Sequence, residues 1–225
     1  MTESTSAPVL TPTEVTRTSR GKAVRAVLAG GLVLGIGAAV TLAAWNDSEF
    51  VRGVFGAGKF NVQGSVSGTA GTFSDHDTAG APATLAFTLP LSTNLAPSSV
   101  VYAPYFVQLT NDTTTNAALS VTSLASSEKA GAPANAANLS YSVYGIAPAA
   151  TCNAATVGSL TAIASGTTLT SAATLTGTTP VSLAKSTDGT APGATQQLCF
   201  VVTAGAGLAQ AGETTATWQL TAVSQ

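Results

Sequence analysis

Charged side chains are scarce in this sequence: 8% of its 225 residues, against roughly a quarter in an ordinary soluble domain. Solubility must therefore rest on Ser, Thr, Asn and Gln, which suits an extracellular protein. Basic residues are scarcest in the body of the chain. Arg17, Arg20, Lys22 and Arg25 are four of the eight, and from Ala44 onward four basic residues stand against eight acidic ones, a net of −4. A nucleic-acid footprint needs a basic stripe that neutralises phosphates, so no nucleic-acid partner is expected.

Histidine is scarcer still. His76 is the single one, and a zinc protease of the common kind needs two, one helical turn apart, with a Glu base. A Ser-His-Asp arrangement built on His76 lacks a G-x-S-x-G nucleophile elbow. The glycine-rich piece Gly53–Gly58 lacks the G-K-[ST] ending that cradles phosphates. No catalytic residue, no cofactor and no enzymatic activity are expected. His76 lies in Ser74-Asp75-His76-Asp77, where consecutive side chains of an extended segment point to opposite sides. A solvated loop is the expected reading, with a weak calcium site at Asp75 and Asp77 as the alternative, because Ca²⁺ accepts carboxylates from flexible loops.

What is abundant is apolar and small. Residues 26–44, AVLAGGLVLGIGAAVTLAA, carry no charge and one polar side chain, Thr41. Basic residues before the run hold its start in the cytoplasm, and small residues at its end suit a signal peptidase, with cleavage expected at Ala43 or Ala44. Retention as an uncleaved membrane anchor is the alternative, since 19 residues fall within the roughly 17–25 that span a bilayer. The expected organisation is a basic, disordered n-region at 1–25, a hydrophobic signal segment at 26–43, a candidate donor or first strand at 44–63 and a β-sandwich at 64–225.

The junction Ala43-Ala44-Trp45-Asn46-Asp47-Ser48-Glu49, followed by Phe55-Gly56-Ala57-Gly58-Lys59-Phe60-Asn61-Val62, resembles the TasA/camelysin family and its SipW-type signal peptides. Leu95-Ala96-Pro97-Ser98-Ser99 with Tyr105 to Asp112 is similar to an interior stretch of that family, with Ser-Ser where the family has Gly-Asp. The stretch from Ala216 to Gln225 is similar to its closing strand. The resemblance implies a jelly-roll-like sandwich, exported and assembled into surface or biofilm-matrix fibres in which one subunit's N-terminal strand completes the next subunit's sheet. It also brings in a camelysin-like protease, which the single histidine makes the third reading.

Alternation with period 2, the mark of a strand with one buried face, recurs independently of any family. It runs through Phe60 and Val62; Leu85, Phe87 and Leu89; Tyr105, Val107 and Leu109; Leu119 and Val121; Leu139, Tyr141 and Val143; Leu198, Phe200 and Val202; and Trp218, Leu220 and Ala222. About eight short strands with Gly, Pro, Asn and Asp between them predict an all-β antiparallel sandwich behind an N-terminal signal or transmembrane helix. The Ala-rich pieces Ser123–Asn138 and Ala147–Thr156 read as loops with room for a helical turn. Gly64–Ala83 and Ser159–Pro180 are too weakly periodic to place strands. Cys152 and Cys199, an even pair in an exported chain, predict a disulfide rather than two thiols or a metal site.

Assembly is the expected function. Trp45, Phe50, Val54 and Phe55, with Phe60 and Val62 behind them, are the candidate donor side chains, freed when signal peptidase cuts. The same residues are equally readable as the first strand of their own domain. The expected location is the cell surface or extracellular matrix, with contact to the membrane only through the signal segment. A monomeric adhesin or carbohydrate-binding module, working through its loops, is the alternative.

Overall fold

The computed structural model of the chain describes residues 20–41, 49, 51–87, 94–170, 175 and 178–225. Two compact units divide the chain, residues 1–55 and 56–225.

In the first unit a helix, α1, runs Arg20–Thr41. Among the described residues no helix is long and apolar enough to cross a membrane, and the last residues of the expected 26–44 span lie outside the described residues. The first turns of α1 carry Arg20, Lys22 and Arg25, and its positions 26–41 are uncharged. The expected cleavage residues Ala43 and Ala44 and the donor residues Trp45 and Phe50 lie outside the described residues.

The described residues of the second unit form eight strands: β1 Val62–Ser65, β2 Val100–Leu109, β3 Ala117–Glu128, β4 Leu139–Ile146, β5 Ala164–Gly166, β6 Val181–Leu183, β7 Gln196–Ala204 and β8 Thr214–Ser224. They make two antiparallel sheets, ordered β1-β2-β7-β4-β5 and β6-β3-β8, packed as a sandwich. Alternation produces the core directly. On β2 the odd positions Val101, Ala103, Tyr105, Val107 and Leu109 are buried, and they meet Leu119, Val121, Leu139, Val143, Leu198 and Phe200.

On β3 the core row is Ala117, Leu119, Val121 and then Leu124. The register shift between Val121 and Ser123 changes the phase, as an extra residue in a strand must. The piece Ser123–Glu128, expected as loop, is therefore strand, and its alternation is visible only after the bulge is allowed for. The rest of the Ala-rich stretch behaves as expected, with a 3-10 turn at Ala136–Asn138. The second Ala-rich piece holds one helical turn, α2 at Ala154–Val157, whose N-terminal Asn153 side chain accepts from the Thr156 N–H.

Ala83, Leu85 and Phe87 pack against the core with exposed residues between them. Residues 82–87 nevertheless form no strand, and Leu89 lies outside the described residues. Two short strands went unplaced by periodicity: β5 with three residues and β6 with three. Three residues are too few to display a period.

The outer face of the five-stranded sheet is not bare. The connection from β4 to β5, which includes α2, carries Ala150, Cys152 and Val157 down onto Cys199, Val201 and Tyr102. Cys152 and Cys199 are disulfide-bonded, with Cα atoms 5.3 Å apart, within the range such bridges accept. Gln197, 2% exposed, lies beneath the same connection. With its amide turned so that nitrogen faces the loop, it donates to the carbonyls of Ala147, Pro148 and Ala150.

Trp218 joins the two layers from β8. Its ring meets Tyr141 edge-on at 5.6 Å and Phe200 at 5.2 Å. Its buried indole N–H has no acceptor among the described residues, and an unmet buried donor costs about 1–3 kcal/mol. Packing and the orphaned donor therefore oppose each other at one residue. Trp218→Ala should destabilise the fold by about 3–5 kcal/mol, whereas Trp218→Phe, which keeps an aromatic ring and removes the donor, should cost well under half of that. Urea unfolding of the two variants checks the difference.

Candidate functional site

The tempting polar cluster is held as a structural loop. The Asp75 carboxylate accepts from the Asn61 amide at 3.0 Å, which ties it to the residues entering β1. The backbone of Ser74 exchanges two hydrogen bonds with Gly64, and the His76 ring contacts the Ser74 hydroxyl at 3.4 Å. Asp75, His76 and Asp77 are all exposed. Among the described residues no group of three His, Cys, Asp or Glu side chains stands close enough to hold a metal ion.

The candidate donor residues separate into two groups. Val62 opens β1 and pairs with Leu109 of its own β2. Just before it, Lys59 and Asn61 wrap the turn that follows β2: the Thr114 N–H donates to the Lys59 carbonyl and the Thr110 N–H to that of Asn61. Phe60 is 41% exposed between them. At Gly64 any larger residue would collide with the Tyr105 hydroxyl, so β1 sits close over β2. Ahead of this anchored stretch, Val51, Val54 and Phe55 are 91%, 85% and 95% exposed and belong to no helix or strand. Apolar side chains exposed in a row carry a free-energy cost that an occupying surface would remove.

Sheet edges are the places where backbone donors and acceptors remain available. β1 has four residues and is bridged at Gly64 by Ser74. β5 and β6 have three each, and next to β5 the Thr179 N–H donates to the Ile163 carbonyl. β8 is different. It has eleven residues, pairs along its length with β3, and has no strand on its other side among the described residues. Its sequence, TTATWQLTAVS, contains none of the charges, prolines or glycines that usually blunt an edge. That missing protection is legible in the sequence, although the strand's place at an edge is not.

Two shallow clefts are small. One, of about 180 Å³, is lined by Asn138, Ser140, Thr167, Thr203 and the loop Gly205–Gly207, and the other, of about 130 Å³, by Ala125–Ser127, Thr215 and Thr217. No aromatic platform lines either.

Three carboxylates hold the loops at the ends of the sheets. Asp188 accepts from the N–H groups of Thr190 and Ala191 and from the Ser186 hydroxyl; these bonds, the Thr190 N–H foremost, pull its pKa down to about 2. The Thr110 hydroxyl and then Lys59 hold Asp112 below the usual range. At Glu128 burial pushes upward, and hydrogen bonds from Thr214, Ala136 and Asn135 together outweigh it, leaving the pKa lowered. Groups with depressed folded-state pKa values stabilise the fold above their unfolded values and lose that contribution as pH falls through the folded values. Stability should therefore decline from about the ordinary carboxylate value of 3.8 down toward 2, the window set by Asp188. Melting temperatures across that range should fall less steeply for Asp188→Asn than for the parent chain.

The disulfide spans 47 residues, a loop worth roughly 4 kcal/mol in the chain-entropy account and often less in practice. Replacing Cys152 and Cys199 by Ser should lower the urea-unfolding free energy by about 2–4 kcal/mol, and reducing the parent chain should have the same effect.

No protein-family model matches this sequence and no curated protein does.

Proposed function

We propose that this chain is an exported structural protein that builds surface or extracellular-matrix fibres by strand donation, the N-terminal segment of one subunit completing a sheet of the next. The exposure of Val51, Val54 and Phe55, between 85% and 95%, is the observation that carries the reading. Three apolar side chains in one stretch that joins no helix or strand are suited to the pockets of a neighbour, and the backbone around them is free to add to a sheet edge. Trp45 and Phe50 extend the same donor in sequence, and signal cleavage near Ala43 would release it. Phe60 and Val62 act as the anchor on the subunit's own side.

Other features support the setting. A disulfide fits an oxidising, extracytoplasmic compartment, and the resemblance of the Ala43–Val62 junction to the TasA/camelysin family adds the fibre expectation. The chain passes from one sheet to the other between β2 and β3, β3 and β4, β5 and β6, β6 and β7, and β7 and β8, which favours a jelly-roll-like description of the sandwich. Signal peptidase is the transient partner and further copies of the chain the lasting one.

The test is filament formation by the chain starting at Ala44 beside a triple variant, Val51→Ser, Val54→Ser and Phe55→Ser, which leaves the sandwich untouched. Negative-stain electron microscopy should show filaments from the first and dispersed particles from the second. Filaments from both would remove the donor from the mechanism, and dispersed particles from both would leave a monomeric binding module as the better description.

A further inference from the structure

We propose that β8 is a homotypic contact: two copies pair their β8 strands antiparallel about a two-fold axis at Gln219, joining two three-stranded sheets into one of six strands. The case starts from the open edge. A strand of eleven residues with one side unpaired offers a row of N–H and C=O groups, and among the described strands at sheet edges only another β8 matches it in length, since β1 has four residues and β5 and β6 three. An isologous contact also needs a surface that tolerates itself.

Strand β8 tolerates itself residue by residue. Gln219 is the midpoint of Thr214–Ser224. Full antiparallel overlap then places Trp218 opposite Leu220 of the second copy, Ala216 opposite Ala222, Thr217 opposite Thr221, and Gln219 opposite itself. Like charges never meet, because the strand has none. Large meets large and small meets small on one face; on the other Thr217 meets Thr221 and Gln219 meets itself, with Thr215 opposite Val223 at the ends, pairings of the kind that stabilise neighbouring strands. The core row favours a further strand as well. Ala216, Trp218, Leu220 and Ala222 pack against the core but stay partly exposed, whereas Ala117, Leu119, Val121 and Leu124 on neighbouring β3 are buried. The core therefore has an open lip along β8. The remaining free edge, on β3 beyond β6, carries the bulge between Val121 and Ser123 and ends on Glu128, both of which disfavour continued pairing.

The experiment uses the full chain in a mild non-ionic detergent with single cysteines under mild oxidation. Gln219→Cys should give a disulfide-linked dimer in high yield. Thr215→Cys alone should not, because it faces Val223 of the second copy, while Thr215→Cys combined with Val223→Cys should. Sedimentation of the uncross-linked chain should show a dimer, and Thr217→Lys with Thr221→Lys, which sets Lys opposite Lys twice, should show a monomer of unchanged circular dichroism. Absence of cross-linking at Gln219→Cys with monomeric sedimentation of the parent chain overturns the contact. So does efficient linkage between Gln219→Cys and Val54→Cys chains in a mixture, which would assign this edge to the N-terminal segment of a second copy. The strand-donation reading is scored separately, by the filaments of its own triple variant.

Discussion

Strand β7 is the constraint on which the rest of the sandwich depends. It lies between β2 and β4 and is the strand buried from both sides, with Leu198, Phe200 and Val202 facing the core and Gln197, Cys199 and Val201 under the β4–β5 connection. A strand buried on both faces has no room for a register error, since a slip of one residue would exchange its two rows. The disulfide and the Gln197 amide fix the outer row, and Trp218 presses on Phe200 from the inner side. The two layers are thus located by one strand.

With so few charges, the chain spends its carboxylates locally. Asp188 and Glu128 each gather backbone N–H groups and a hydroxyl, closing turns that the sheets leave behind. The ion pairs Lys59–Asp112 and Lys129–Glu213 are solvent-exposed, so water and salt screen them and they add little. Stability comes instead from apolar rows, ladder hydrogen bonds and one covalent link. The same economy of charge leaves β8 without the side chains that keep an edge solitary.

Sequence alone shows the sandwich because most of its strands have one wet face, and alternation reports a wet face directly. Tyr105 to Leu109, Leu139 to Val143 and Trp218 to Ala222 are visible for that reason, while the first half of β2, from Val100 to Pro104, is not. The second half of β3 was hidden by its bulge, and β5 and β6 by their brevity. Alternation in 83–87 marks residues that pack on the core yet join no ladder, so a period of 2 reports burial and not hydrogen bonding. The disulfide was legible from compartment and parity, while the protected outer sheet face and the open β8 edge depend on which strands become neighbours. Periodicity carries no information on that order.

The Cys152–Cys199 bridge also sets how the domain would behave under load. In the proposed fibre a subunit would be pulled through its contacts, and a folded domain that yields releases slack in proportion to the chain freed. Here 47 residues between the bridged positions are removed from that reserve, roughly 160 Å of contour at about 3.4 Å per residue. The bridge closes on β7, so tension entering from β4 passes through sulfur to the centre of the sheet and bypasses the short strands β5 and β6. Such a subunit would yield only in the chain outside the bridged loop, toward its two ends.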